Sequence, residues 1–343
     1  MDYFLNTEFI DRDRQIDLIS LAVVAADGRE LYAISTEFEA SGANDFVRST
    51  VLPLLEPRGH PAWMSRARMK DELLRFVGTD TPRFWSWGGA PYDWLSMAQL
   101  FPLAERVPDG WRYTAYDVSL LVEAAGLGVN PVDPSLPPLP PDVHHAPADA
   151  RWVREVFGAI TTRRDQGSAP VEMAALGGLG VGTDYFIDTE REIDLISVGI
   201  AAADGRELYA ISTEFDARRA NDFVRSAVLP RLEPPDHPAW MSRARMKDEL
   251  VRFIGTDTPR FWSWGGAPYD WMTMAQLFPV SERIPDGWRY TAYDVLMLVE
   301  SAGLVVDPID PSLPRPSADA HHALTDARWA REVFRAVTGA ARR

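Results

Sequence analysis

Most of this chain is written twice, and this repetition constrains its fold more than any other feature. The segment HPAWMSRARMKDEL occurs at 60–73 and again at 237–250, and TPRFWSWGGAPYDW occurs at 81–94 and again at 258–271. The second occurrence of each segment follows the first by 177 residues. This period far exceeds the roughly 20–50 residues of a solenoid unit, so the repeat indicates duplication of a whole domain.

The repeat predicts two domains joined by a linker. We expect one domain over 1–163 and the other over 183–343, each long enough to enclose its own hydrophobic core. Residues 164–182 are rich in Gly, Ala and small polar side chains. We interpret this segment as a flexible linker.

Composition excludes several classes of protein. The 343 residues include no cysteine, which excludes a disulfide scaffold, a thiolate zinc site and a cysteine nucleophile. The formal net charge of −15 argues against a protein that coats DNA, but not against a nuclease with a carboxylate site. The N-terminus carries neither a basic region nor a long apolar run, so we expect no signal peptide, no membrane span and a cytoplasmic location.

The second repeat predicts an α/β domain in which a mixed sheet is flanked by helices. Expected strands cover 185–190, 195–202, 207–213 and 260–264. Expected helices cover 220–229, 242–254, 268–277, 293–302 and 322–337.

Carboxylates occur at three places in the second repeat. Asp188 and Glu190 alternate along a predicted strand, so their side chains share one face and repel each other unless a cation lies between them. Asp270 follows a Gly/Pro turn. Taken singly, a D-x-E pair is more typical of an exposed strand end, and Asp270 of the start of a helix.

The third place is the segment from His321 to Asp326. On an ideal helix these two residues lie about 140° apart and do not share a face. A loop conformation at His321 would let it approach the face that carries Asp326. A polar helix N-terminus is an equally good explanation of this segment by itself.

Two further features invite a functional interpretation but favour a structural one. The basic run at 242–247 could line a nucleic-acid groove, yet a solvated helix face is the favoured reading. Trp262, Trp264 and Trp271 could stack on bases, but their pattern is more typical of core packing.

Taken together, the order of these motifs resembles the DEDDh class of 3′→5′ exonucleases, which have a ribonuclease-H-like fold. The segments YFIDTE, ELYAISTEF and HHALTDAR are similar to those of the actinobacterial polyadenylate-specific 3′-exoribonuclease family (RNase AS). The resemblance covers nearly all of each repeat. It implies two tandem ribonuclease-H-like domains.

The resemblance also implies a role for each residue of the second repeat. The four carboxylates Asp188, Glu190, Asp270 and Asp326 would hold two Mg²⁺ or Mn²⁺ ions, and His321 would be the general base. The implied substrate is the 3′ end of single-stranded RNA, with poly(A) preferred and nucleoside 5′-monophosphates released. Short oligoribonucleotides and single-stranded DNA are alternative substrates.

The first repeat departs from this pattern at one metal-ligand position. Asn6 stands where the second repeat has Asp188, whereas the other four counterparts, Glu8, Asp93, His144 and Asp149, are kept. An amide is neutral and a poorer ligand than a carboxylate, so we expect weak metal binding and little turnover in this degenerate site.

The second repeat lacks a segment that the first repeat has. Ile16 follows Glu8 by eight positions, whereas Ile193 follows Glu190 by only three. Arg191 stands directly after Glu190, where the first repeat has Phe9, whose ring we expect to stack on a terminal base. We therefore hypothesise an intramolecular pseudo-dimer, in which the first repeat supplies a scaffold and its loop at 9–13.

Two functions of other classes are the alternatives. A non-catalytic pseudonuclease would bind RNA ends or a protein partner, as the Asn6 substitution suggests. A helical metal phosphohydrolase of the His-Asp type is disfavoured, because the chain has no His-Asp dipeptide and each repeat begins with strands.

Overall fold

A computed structural model describes residues 1–12, 15–101, 107–165, 179–187, 193–278, 284–289 and 291–340. The chain divides into two compact units, Met1–Val171 and Glu172–Arg343. Each unit is described below by itself.

The first unit contains one six-stranded sheet. Its strands are β1 (Asp2–Arg12), β2 (Gln15–Ala25), β3 (Glu30–Ser35), β4 (Trp63–Met64), β5 (Arg83–Ser86) and β6 (Tyr116–Asp117). Its α-helices are α1 (Arg66–Val77), α2 (Ala90–Ala98), α3 (Val118–Ala124) and α4 (Ala146–Asp165). Two 3-10 helices, Ala40–Gly42 and Leu52–Leu54, flank a π-helix at Val47–Val51.

The strands of this sheet lie in the order β4-β3-β2-β1-β5-β6. β1, β2 and β3 are antiparallel neighbours, whereas β4, β5 and β6 pair in parallel. Helices α2 and α4 pack against β1 and β2. The middle of β2 from Leu18 to Ala25 is almost wholly buried, which explains its continuous apolar run.

The second unit has the corresponding elements. Its strands are β7 (Leu179–Ile187), β8 (Ile193–Ala201), β9 (Glu207–Ser212), β10 (Trp240–Met241), β11 (Phe261–Ser263) and β12 (Ala292–Asp294). Its α-helices are α5 (Arg243–Ile254), α6 (Ala267–Ala275), α7 (Val295–Ser301) and α8 (Ala323–Ala340). Two 3-10 helices, Ala217–Arg219 and Leu229–Arg231, flank a π-helix at Val224–Val228. The strand order is β10-β9-β8-β7-β11-β12.

The helix expected at 220–229 is present, but it is not an α-helix over most of its length. The structure has a π-helix followed by a 3-10 turn, with Ala220, Val224 and Val228 packed against Ile196. Apolar residues spaced by four fit an α-helix and a π-helix alike, so periodicity did not distinguish them. Pro230 has no N–H, and the 3-10 turn that contains it ends at Arg231.

Three predicted boundaries also change. The expected helix at 293–302 begins at Val295, because Tyr293 and Asp294 pair with β11 as a strand. The strand predicted at 185–190 begins earlier, at Leu179, and its described part ends at Ile187. Residues 188–190 lie outside the described residues. The expected linker at 164–182 overlaps regular structure at both ends, because α4 continues to Asp165 and β7 begins at Leu179. Residues 166–178 lie outside the described residues.

The tryptophans of the second unit belong to its core. Trp262 packs against Phe334, Trp271 against Phe261, and Trp264 against Trp329. Trp262 and Trp271 are fully buried. Within the described residues, no helix combines the length and the apolar character that a membrane crossing requires.

Candidate active site

In the first unit, three predicted site residues converge between β1 and the start of α4. Glu8, His144 and Asp149 each offer a ligand atom, and these atoms all lie within 4.8 Å of one another. Glu8 is on β1, whereas Asp149 is in the first turn of α4. The fold therefore brings together groups that are far apart in the sequence.

His144 has a backbone conformation that non-glycine residues rarely adopt. Its φ is 74°, and its N–H donates to Asp149 Oδ2 at 2.9 Å. His321 repeats this arrangement, with φ 72° and an N–H that donates to Asp326 Oδ2 at 2.9 Å. Conformations of this kind cost about 1–3 kcal/mol and collect at functional sites, where a local bond holds them.

The loop conformation of His321 is the one the sequence requires if it is to approach Asp326. α8 begins at Ala323, so both His321 and His322 precede the helix. The helix therefore begins one residue later than the expected start at 322. His321 and Asp326 meet through the backbone of the loop, not along a helix face.

Asp93 is buried beside this cluster and is held by three hydrogen bonds. Thr7 donates to Asp93 Oδ1 from both its backbone N–H and its Oγ1, each at 2.7 Å. Ser86 donates to Asp93 Oδ2. In the second unit Asp270 is likewise buried in the first turn of its helix and accepts a hydrogen bond from Ser263.

Crowding of carboxylates in a buried place raises their pKa values. Burial, followed by the charges of Asp149 and Asp93, raises the pKa of Glu8 to about 9. Burial raises the pKa of Asp93 to about 7 and that of Asp149 to about 6, despite the bonds they accept from Thr7 and His144. Burial lowers the pKa of His144, which favours the neutral ring that can accept a proton.

Asn6 shares the β1 face of Glu8, two positions away. Its Oδ1 is buried and has no hydrogen-bond partner among the residues that the structure describes. An unsatisfied buried acceptor next to acidic groups fits the proximity of a cation, since oxygen ligands are the ones that Mg²⁺ and Mn²⁺ prefer. The residues of the first unit thus fit a divalent ion, although with one carboxylate fewer than the predicted set.

Only part of the site predicted in the second unit lies within the described residues. Asp270, His321 and Asp326 are described, whereas Asp188 and Glu190 are not. Burial raises the pKa of Asp326, and the N–H of His321 opposes that shift.

The pairing of β7 with β8 differs from that of β1 with β2. Ser20 lies opposite Glu8 in the first unit, whereas its counterpart Ser197 lies opposite Asp184. In this pairing the position that Glu8 has in the first unit is taken by Asp184, which precedes Tyr185. Asp188 therefore follows the last described residue of β7.

The basic run at 242–247 is tied into the fold. Arg243 is buried and forms an ion pair with Asp194, and Ser242 caps α5 by accepting from the N–H of Arg245 at 3.3 Å. Arg245 lies 3.9 Å from Glu249 on the same helix. Arg243 is therefore part of the folded interior and does not line a cationic groove.

Sequence reasoning missed the aromatic contacts around the site. Phe46 lies edge-on to His144 and Phe223 edge-on to His321, each with ring centroids 5.0 Å apart. Phe9, a predicted base-stacking residue, has its ring parallel to that of Tyr92 at 5.5 Å. The Phe46 and Phe223 contacts join distant segments, and no local pattern signals them.

Comparison with known proteins decides the family. The chain is 42% identical over 171 residues to the 3′-5′ exoribonuclease of Mycobacterium tuberculosis strain H37Rv, and equally to that of strain CDC 1551 / Oshkosh. Each match takes in 97% of the relative and 49% of this chain. This chain belongs to the 3′-5′ exoribonuclease family. The predicted enzyme class is thereby confirmed.

Other comparisons add little to the exoribonuclease assignment. No protein-family model matches the chain. Solved structures with some likeness include E. coli exonuclease I bound to a dT13 oligonucleotide, at 10% identity and a TM-score of 0.35 over 58% of this chain and 54% of that one. Exonuclease I of Methylocaldum szegediense covers 97% of this chain and 85% of its own at 10% identity, with a TM-score of 0.34. The assignment rests on the sequence relatives.

Proposed function

We propose that this protein is a metal-dependent exoribonuclease that shortens single-stranded RNA from its 3′ end and releases nucleoside 5′-monophosphates. The observation that carries the proposal is the 42% identity to 3′-5′ exoribonucleases across 97% of their length. The acidic cluster with an adjacent histidine supports it, because phosphodiester hydrolysis in such sites uses divalent ions. Poly(A) is the preferred substrate in this proposal.

The proposed architecture is a tandem pair of ribonuclease-H-like domains of the DEDDh type. The similar strand orders of the two sheets and the repeat at 177 residues support this arrangement. We place catalysis in the second domain, because it alone keeps an aspartate, Asp188, where the other domain has Asn6. An intramolecular pseudo-dimer of the two domains is part of the proposal.

In the second domain, Asp188, Glu190, Asp270 and Asp326 would hold two Mg²⁺ or Mn²⁺ ions. When bound, such ions stabilise negative charge on the attacking and leaving oxygens of a phosphodiester. Ser263 donates to Asp270 and holds that carboxylate in place. Asp270 and Asp326 lie in the first turns of α6 and α8.

His321 would accept the proton of the attacking water. Its backbone bond to Asp326 positions the imidazole at the start of α8, outside the helix. Histidine is the side chain that most often accepts such a proton in enzymes.

The Asn6 substitution favours a second function for the first domain. With Glu8, Asp93, His144 and Asp149 kept, this domain would bind RNA ends weakly and cleave little. If the same were true of the second domain, the whole chain would be a non-catalytic pseudonuclease.

The test is a cleavage assay on the purified full-length protein. 5′-labelled oligo(A) and a mixed-sequence RNA of equal length are incubated with Mg²⁺, Mn²⁺ or EDTA. We expect a ladder of 3′-shortened products with either ion, none with EDTA, and faster loss of oligo(A). A folded protein that yields no ladder with any ion would contradict the proposal.

Metal binding separates the enzyme from the pseudonuclease. We expect Mn²⁺ to raise the unfolding temperature of the native chain and Asp188→Asn to reduce that rise, since an ion that binds only the folded state stabilises it. An Asp188→Asn variant with an undiminished response would place the ion elsewhere.

A further inference from the structure

The two units differ in charge along the segment that follows the third strand of each. Residues 216–231 include four arginines and two aspartates, whereas the corresponding residues 39–54 include one arginine and two acidic residues. Both segments run through a 3-10 turn, a π-helix and a second 3-10 turn. The second unit therefore carries a net positive charge, and the first a net negative one, on the same backbone elements.

The last arginine of this segment, Arg231, stands where the first unit has Leu54. It ends the second 3-10 turn and is half-buried. Val228 is buried in the core, and Leu229 and Leu232 pack against the same cluster. Arg231 thus lies between two anchored leucines, and its backbone position is fixed.

The side chain of Arg231 differs in its contacts from other arginines of the segment. Arg218 and Arg225 each have an aspartate of the same segment nearby, at 2.8 Å and 3.7 Å. Arg231 donates instead to the carbonyl oxygen of Ala227, and it forms no ion pair with a residue that the structure describes. A guanidinium has five N–H donors, so this one bond leaves others for a ligand.

Arg231 belongs to a segment that lies beside the candidate site of the second unit. The ring of Phe223, in the same segment, contacts that of His321 with centroids 5.0 Å apart. Burial raises the pKa of Asp326, and the charge of Arg231 is among those that oppose this shift. The guanidinium is therefore close enough to the site carboxylate to act on it electrostatically.

The same place in the first unit has the opposite electrostatic character. Burial raises the pKa of Asp149 to about 6, and the charge of Asp142 acts in the same direction. Leu54 brings no charge that could offset it. RNA carries a negative charge on every phosphate, so a cation beside the carboxylates favours its binding, and the guanidinium fork matches the oxygens of a phosphate.

We propose that Arg231 is a substrate-binding residue that contacts the last phosphodiester of the RNA at its 3′ end. This proposal rests on the proposed function, in that it assumes an RNA end at the site of the second unit. The guanidinium donates hydrogen bonds to the non-bridging oxygens of that phosphate. It takes no part in proton transfer, because arginine stays charged in proteins.

The first test measures binding of oligo(A) to the full chain in EDTA, so that cleavage does not interfere. Arg231→Leu introduces the residue that the first unit has. We expect it to raise Kd by about ten-fold, the effect of one lost hydrogen bond to a charged group. The dependence of log Kd on log salt concentration should become shallower by about 0.7, the value for one phosphate contact on a single strand. Arg231→Lys keeps the charge and should keep the slope.

A change in the RNA tests which group Arg231 contacts. The second ligand is the same strand with an uncharged methylphosphonate as its last linkage. We expect the native chain to bind this strand more weakly than oligo(A), and Arg231→Leu to cause no further loss. An equal loss on both strands would overturn the proposal and assign Arg231 to support of Asp326.

Arg252→Leu is the matched control. Arg252 lies on α5 of the same unit, where its exposed side chain forms an ion pair with Glu249 at 2.6 Å. This variant loses the same charge as Arg231→Leu. We expect an unchanged Kd and an unchanged salt slope. A loss as large as that of Arg231→Leu would overturn the proposal, because net charge alone would then explain both.

The cleavage assay separates this inference from the proposed function. Binding that depends on Arg231, without cleavage under any metal condition, would contradict the proposed function and leave this inference standing. Cleavage together with an unchanged Kd in Arg231→Leu would overturn this inference alone.

Discussion

Gly199 lies where the start of α8 meets β8. A Cβ atom at this residue would lie 2.2 Å from the backbone nitrogen of Leu324 and 2.3 Å from the carbonyl carbon of Ala323. Backbone atoms cannot move aside as a flexible side chain can. The residue that corresponds to Gly199 in the first unit is Ala22, so this close approach belongs to the second unit.

We predict that Gly199→Ala lowers the free energy of unfolding by about 1–3 kcal/mol, as overpacking does. It should also slow cleavage, because His321 and Asp326 flank the helix start that must move. Denaturant titration and the oligo(A) assay measure the two effects. Ala22→Gly is the control, with a cost of about 0.5–1 kcal/mol and unchanged cleavage; equal stability of Gly199→Ala and the native chain would refute the close packing.

Glu8 makes the stability of the first unit depend on pH. Its pKa of about 9 in the folded chain exceeds its ordinary value of 4.5, so the folded state keeps a proton that the unfolded state loses. The stabilising contribution is complete below about pH 4.5 and is lost as pH rises through 9.

We therefore predict that, in EDTA, the native chain loses stability relative to Glu8→Gln as pH rises from 5 to 9. Glutamine does not titrate, so the variant isolates the proton at this site. Denaturant midpoints at a series of pH values supply the measurement. Parallel pH profiles of the two proteins would mean that Glu8 keeps an ordinary pKa.

At the scale of elements, Asp294 joins the end of β12 to the turn before α6. Its Oδ1 accepts from the N–H of Leu296 at 3.0 Å, which caps α7, and from the N–H of Gly265 at 2.9 Å. Gly265 has a φ of 65° and directly precedes Gly266, the N-cap of α6. One buried carboxylate therefore caps one helix and fixes the turn that leads to Asp270.

We predict that Asp294→Ala lowers the free energy of unfolding by about 1–2 kcal/mol, the usual cost of a lost N-cap. Asp294→Asn keeps an acceptor oxygen and should recover most of the loss. Thermal and denaturant unfolding of the two variants test this. A loss of equal size in both would show that charge, not the acceptor geometry, is what matters.

Elements with local signals were predicted well from the sequence. The helix expected at 242–254 is α5, because Ser242 is a cap and Gly255, with φ 67°, follows its last residue. Elements decided by distant contacts were not. Tyr293 and Asp294 have helical neighbours but form a strand because β11 lies alongside.

In the candidate site too, features with local signals were accessible from the sequence and features that depend on distant contacts were not. Helix geometry alone showed that His321 and Asp326 could approach each other only if His321 lay in a loop, and the structure has His321 before the start of α8. It did not predict the hydrogen bond of Ser263 to Asp270 or the ring of Phe223 beside His321. These contacts depend on how distant segments pack, which no local period encodes.

At the scale of the whole molecule, the central claim is that one of two similar units carries the exoribonuclease activity. Both units present a histidine bonded through its backbone to an aspartate, and both bury an aspartate in the first turn of a helix. They differ at the first of the proposed metal-ligand positions, Asn6 against Asp188. We expect the number of carboxylates in each site, and not the fold, to decide which unit is active.

The most direct test compares Asp188→Ala with Glu8→Ala in the full chain, using 5′-labelled oligo(A) and Mn²⁺. A cooperative thermal unfolding transition in EDTA serves to show that each variant is folded. We predict that the ladder of shortened products disappears in Asp188→Ala and persists in Glu8→Ala. A ladder that survives Asp188→Ala and is lost in Glu8→Ala would contradict the account, because activity would then belong to the first unit.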